Sequence, residues 1–138
     1  MLRDSRYGVE QWLDAHARSD DLIGFVFPEQ YYPRFAPHLT LEITSIEQLK
    51  DVRPPFFVLD ADYSRFVEPA TPVGHLLAGL RSGAIGYRLV LRFRTPLPGR
   101  WLPGAHPDLV GERNGETAFV TSCLYHINPT FEVFERVP

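Results

Sequence analysis

PPFFVLDADYSRF, residues 54–66, is the stretch from which the fold is read. Pro54 and Pro55 hold the residues before them in extended geometry. Phe56 to Leu59 then runs as four apolar residues in a row and is read as the third strand. Asp60, Ala61, Asp62, Tyr63, Ser64 and Arg65 follow where such a strand ends. Open α/β sheets carry their ligands beyond the carboxyl ends of strands.

Working back toward the N-terminus, Thr44 or Ser45 can cap a short helix, because Glu47 and Gln48 stand three residues on from each and can close a capping box; Val52 ends it. Leu39 to Ile43 alternates and is a second strand. Tyr31, Tyr32, Pro33, Arg34 and Phe35 form an aromatic segment whose proline permits only one or two helical turns. Leu22 to Phe27, stopped by Pro28, is a first buried strand. Val9, Trp12, Leu13 and Ala17 recur at helical spacing, with Asp4 or Ser5 as the cap. In the other direction, Leu76, Leu77 and Leu80 mark a helix face, Pro72 suits its first turn and Gly83 its left-handed stop. This alternation of helix and strand predicts a three-layer α/β domain with a mostly parallel sheet, Rossmann-like or flavodoxin-like.

The last third differs. Tyr87, Leu89, Leu91 and Phe93 are expected on one face of a strand and Arg88, Arg92 and Arg94 on the other. A Pro/Gly-rich stretch, residues 95–118, reads as a long loop. Strands are expected over Phe119 to Ile127 and Thr130 to Arg136, with a turn at Asn128 and Pro129, which gives the sheet antiparallel C-terminal strands.

With 138 residues, 44% of them hydrophobic, the chain makes a single domain over 1–138. A net charge of −3, from 14 basic and 17 acidic residues, argues against a nucleic-acid partner. The longest apolar runs, Asp21 to Pro28 and Pro55 to Leu59, fall far short of the roughly 20 residues of a membrane span. Arg3, Asp4, Ser5 and Arg6 begin no signal peptide, so another segment would have to carry the domain out of the cytoplasm. Cys123 is the single cysteine, which excludes an internal disulfide.

Candidate chemistry centres on Asp60 and Asp62, which can hold a cation or a sugar hydroxyl, with Tyr63 and Arg65 beside them. The plainer reading is that either aspartate caps a turn. Tyr31 and Arg34 can add a stacking and hydrogen-bonding surface, or pack on the sheet with Tyr32 and Phe35. His16, His38, His75, His106 and His126 lack metal-ligand spacing, so no metal is expected. Period-two geometry puts Cys123 and His126 on opposite faces, against a nucleophile and base. Gly99, Gly104, Gly111 and Gly115 form no phosphate-cradling motif, and no cofactor is expected. Arg88, Arg92 and Arg94 can meet anionic head groups or a pyrophosphate, or form a solvated face.

Taken together, DSRYGVEQWL from Asp4, YYPRF from Tyr31, VLDADYSRF from Val58, and GYRLVLRF with HINPTFEVFER at the end resemble the C-terminal extracytoplasmic domain of bacterial membrane glycosyltransferases of the dolichyl-phosphate-mannose protein mannosyltransferase type. The resemblance covers Asp4 to Arg136 apart from the loop. It implies an α/β domain following a many-helix membrane body that uses a polyprenyl-phosphate sugar. In that family the catalytic carboxylate and most donor contacts belong to the membrane body, so no catalytic residue carries over, and this chain alone is not expected to transfer sugar. The leading expectation is therefore a non-catalytic accessory domain packing on the extracytoplasmic side of that body, or a cytoplasmic protein if encoded alone. The alternatives are a module binding a glycan or polyprenyl-linked sugar near Asp60, Asp62 and Tyr63, and a small independent α/β hydrolase or transferase.

Overall fold

The computed structural model describes residues 5–26, 32–94 and 129–138. The elements are α1 (Ser5–His16), β1 (Leu22–Phe25), β2 (Leu39–Glu42), α2 (Ile46–Val52), β3 (Phe56–Asp60), α3 (Ala61–Ser64), α4 (Pro72–Ser82), β4 (Tyr87–Phe93) and β5 (Phe131–Arg136). The expected loop at 95–118, the strand at Phe119 to Ile127 and Asn128 lie outside the described residues, as do Asp4, Tyr31, His106, Cys123 and His126.

The five strands form one mixed sheet in the order β2-β1-β3-β5-β4. β1 pairs in parallel with both β2 and β3. β5 lies antiparallel between β3 and β4. Two reversals restore direction, so β1 to β4 all run one way and β5 alone runs back. The ends of β1, β3 and β4 and the start of β5 therefore share one end of the sheet.

Alternation along the strands splits the core in two. Ile23, Phe25, Phe56, Val58, Phe131 and Val133 face α1 and pack with Val9, Leu13, Tyr32 and Phe35. Phe57, Leu59 and Phe134 face the other way, toward Leu49 of α2 and Leu76, Leu77 and Leu80 of α4. Helices thus cover both faces, as a strand buried at all five positions of β3 requires. Gly8 lets α1 come close to β4, since a Cβ there would run into the Phe93 ring.

The helix signals act as their chemistry predicts. Ser45 Oγ accepts from Gln48 N–H and the Gln48 side chain accepts from Thr44 N–H, so the expected box closes one residue wide of its ideal partner. Thr71 caps α4 through Gly74 N–H, and Gly83 ends it at φ 74. Caps of this kind are worth about 1 kcal/mol each. The segment after Tyr32 forms no helix; its aromatic rings fill the α1 face instead, with Tyr32 tilted against Phe25, Phe35 and Phe131.

β4 departs most from the expected pattern. Its register against β5 slips between Leu89 and Leu91. This bulge carries one extra residue, so every side chain after it changes face. Tyr87 and Leu89 align with Arg136 and Phe134, and Arg92 with Glu132, on the α4 face; Arg88, Leu91 and Phe93 align with Glu135, Val133 and Phe131 on the α1 face. Arg88 and Arg92 accordingly do not share a face. Simple alternation fails here because it cannot register an inserted residue.

Candidate functional site

Asp60 ends β3 at the switch from strand to helix. Its Oδ1 accepts the N–H groups of Asp62 and Tyr63, both at 3.0 Å, and so caps the single turn of α3. At 4% exposure the carboxylate is nearly dry. Burial raises its pKa from 3.8 to about 6 and the Asp62 charge adds to that, while the Tyr63 and Asp62 N–H groups and the Arg6 guanidinium pull it back.

Asp62 is spent on tertiary structure. Its Oδ1 holds Arg65 Nη2 at 2.7 Å and its Oδ2 accepts Thr130 N–H at 2.8 Å. Thr130 answers with its carbonyl, which accepts Ala61 N–H at 2.8 Å. Ser5 on α1 donates its hydroxyl to Pro129 C=O, fixing the helix start to the chain entering β5. The turn-capping reading therefore describes the hydrogen bonds of Asp60, whereas Asp62 ties that turn to Arg65 and to the entry of β5.

Tyr32 occupies the space between the ends of β1 and β3. Its phenol donates to Val26 C=O and accepts Asp60 N–H at 3.2 Å. Burial pushes its pKa upward. Strand order changes direction between β1 and β3, and such a switch point is where open α/β sheets form their ligand crevice. Here a tyrosine only 4% exposed sits there.

The predicted site residues separate into two groups. Asp60, Asp62, Tyr63 and Arg65 are contiguous at the end of β3. Arg34 is tied elsewhere: its backbone N–H goes to Glu10 Oε1 of α1 at 2.7 Å. Tyr31 lies outside the described residues. His16 and His38 gather at the far end of α1, where His16 stacks on Trp12 and His38 Nδ1 meets Arg18 C=O at 2.9 Å. A 12-residue helix is about 18 Å long, so neither reaches Asp60 from there. Among the described residues no group of three His, Cys, Asp or Glu is placed to hold a metal.

A second carboxylate centre at the same end escaped the sequence reading. Glu132, 1% exposed, stands opposite Leu59 on one side and Arg92 on the other. Its Oε2 takes Nε and Nη2 of Arg81, both at 3.2 Å, and its Oε1 takes Nε and Nη2 of Arg92, the Nε at 3.1 Å. Arg81 Nη2 also donates to Ser64 Oγ at 2.6 Å, and the Ser64 hydroxyl donates to Ala61 C=O at 2.7 Å. That hydroxyl is aimed at a carbonyl rather than a base, so it is not an activated nucleophile. Two signals pointed here: Glu132 interrupts the apolar run from Phe131 to Phe134, and Arg81 lies four residues after the buried Leu77.

No helix among the described residues is long and apolar enough to cross a membrane. No family model, curated protein or solved structure matches the chain.

Proposed function

We propose that this chain is a non-catalytic accessory domain of a polyprenyl-phosphate-sugar-dependent membrane glycosyltransferase, packing on the extracytoplasmic side of the membrane body. One observation carries the reading. The phrases on which the family resemblance rests meet in one hydrogen-bonded knot: Ser5 with Pro129, Tyr32 with Asp60, and Ala61 and Asp62 with Thr130. Residues spent in this way build a scaffold, and the reacting groups then belong to another part of the polypeptide. The fold reading that accompanies it is a doubly wound, flavodoxin-like domain: the order β2-β1-β3 follows that pattern, and β5 enters where the next parallel strand would stand.

Two assays test this. The purified chain, given a polyprenyl-phosphate sugar and an acceptor peptide, is expected to form no glycosylated product; measurable transfer overturns the reading. In its native host, the polypeptide bearing this domain is expected to sediment with membranes and to be cut by protease added to spheroplasts. A soluble product protected inside the cell counts against the placement.

A glycan-binding reading keeps one supporting feature. Phe66, 63% exposed, meets Tyr63 edge to face beside Arg65, a surface on which a sugar ring can stack. Chemical shifts at Tyr63 and Arg65 on titration with oligosaccharides test it, and unchanged shifts at millimolar ligand remove it.

A further inference from the structure

We infer that the outward edges of Arg81 and Arg92, anchored together on Glu132, form a binding site for a phosphate-bearing anion, a phosphate monoester or a pyrophosphate. The inference stands apart from the accessory-domain reading and holds or fails on different measurements.

Glu132 is the first consideration. It is buried on a sheet face between Leu59 and Phe134, where a leucine would fill the space without desolvating a charge. Replacing buried ion triads by apolar residues of similar volume is commonly neutral or stabilising, so stability alone is a weak reason for the arrangement. What Glu132 does achieve is to hold two guanidiniums still. Each is gripped along the same edge, through Nε and Nη2, and the Nη1 of each makes no hydrogen bond among the described residues. Both side chains remain open to solvent, 42% for Arg81 and 63% for Arg92. They are immobilised yet accessible, the condition under which a donor loses little entropy on binding.

Charge points the same way. Two guanidiniums against one carboxylate leave an excess of one positive charge in a chain whose net charge is −3. Arg94, one residue past the end of β4, adds another cation near this end of the sheet. The nearby Arg65–Asp62 pair is neutral. Planar guanidiniums match the spacing of phosphate oxygens and bind them more strongly than neutral donors do. The other face of the sheet offers the contrast: Arg88 pairs one-to-one with the solvent-exposed edge of Glu135, leaving no surplus charge.

The test follows arginine Nε–H signals of the full chain at low ionic strength while inorganic pyrophosphate is added. Saturable shifts at Arg81 and Arg92 in the millimolar range or below are expected. The apolar triple variant Arg81→Met, Glu132→Leu, Arg92→Met should fold and lose binding. Arg92→Gln, which leaves Glu132 paired with Arg81, should weaken it roughly tenfold and covers the case in which the triple variant misfolds. Glu132→Gln discriminates between mechanisms: it raises the net positive charge but loosens the grip, so an anchored site binds more weakly, whereas tighter binding would mean diffuse attraction and overturn the inference.

Vesicles locate the source of the phosphate. Retention on vesicles containing phosphatidic acid, lost in the Arg92→Gln protein and absent on phosphatidylcholine alone, identifies a lipid head group. Pyrophosphate binding without vesicle retention identifies a soluble ligand. Absence of both responses, or shifts undiminished in Arg92→Gln, refutes the site.

Discussion

Two carboxylate centres stand at the same end of the sheet and meet their partners differently. The Asp60 and Asp62 centre is satisfied mainly by backbone N–H groups, from Asp62, Tyr63 and Thr130. Its hydrogen-bonding capacity is turned inward, where it fixes a strand end, a one-turn helix and the entry to β5. Glu132 is satisfied by two side chains from different elements, α4 and β4, whose other edges face water. The first centre shows acidic residues behind a strand serving the fold. The second shows that an acidic residue can serve a surface by organising cations above it. Richness in carboxylates therefore says less about chemistry than where the partners of each carboxylate point.

Removing the cations should separate the centres most sharply. The double variant Arg81→Met, Arg92→Met leaves Glu132 buried and unpaired, and is expected to cost about 3–5 kcal/mol by denaturant unfolding. Adding Glu132→Leu should return most of that loss; a triple variant no more stable than the double would show that packing, rather than stranded charge, was responsible.

Asp60 should reveal itself through pH. Its folded pKa is raised from 3.8 to about 6, so between those values the folded state keeps a proton that the unfolded chain has released. Stability from this group is therefore full below about pH 4 and falls as pH rises through 6, by roughly 2–3 kcal/mol. Asp60→Asn retains an oxygen for the cap and should flatten that slope, measured as unfolding midpoint against pH. An unchanged slope would place the titration elsewhere.

Tyr32→Phe removes the hydroxyl shared by Val26 and Asp60 without removing the ring, and should cost about 1–2 kcal/mol in the same unfolding assay. The smallest effect belongs to Arg88→Ala, whose partner pair is largely exposed: less than about 1 kcal/mol. A loss at Arg88 as large as that from the double arginine variant would erase the distinction between the two arginine settings.

The sequence carried the parallel half of the sheet well because its signals are local. Thr71 before Pro72 and Gly83 after Leu80 each act within one turn of their own position; Pro54 does not act as expected, since Arg53 before it ends α2 in left-handed geometry, at φ 50, rather than extended. The Asp60 and Asp62 cluster was legible for the same reason, and its capping role was among the readings weighed. What stayed hidden depends on alignment between distant segments. Arg92 reaches Glu132 across 40 positions and Arg81 reaches it across 51. The face on which Arg92 appears is set by a bulge that leaves the apolar alternation from Tyr87 to Phe93 outwardly intact. The tie of Arg34 to Glu10 was hidden for the same reason, being a contact between segments 24 positions apart.

The slip at Leu89 and Leu91 also sets how this strand tolerates length changes. Excising Val90 would join Leu89 directly to Leu91, so that regular alternation carries Leu91 opposite Val133 and Arg92 opposite Glu132, the sides they already occupy. A deletion that tidies the hydrogen-bond ladder would thus leave the allocation of oil and charge between the two sides as it is. What Val90 alters is the spacing in the chain: Leu89 and Leu91, two positions apart, stand on opposite sides of the sheet because it is the extra residue between them.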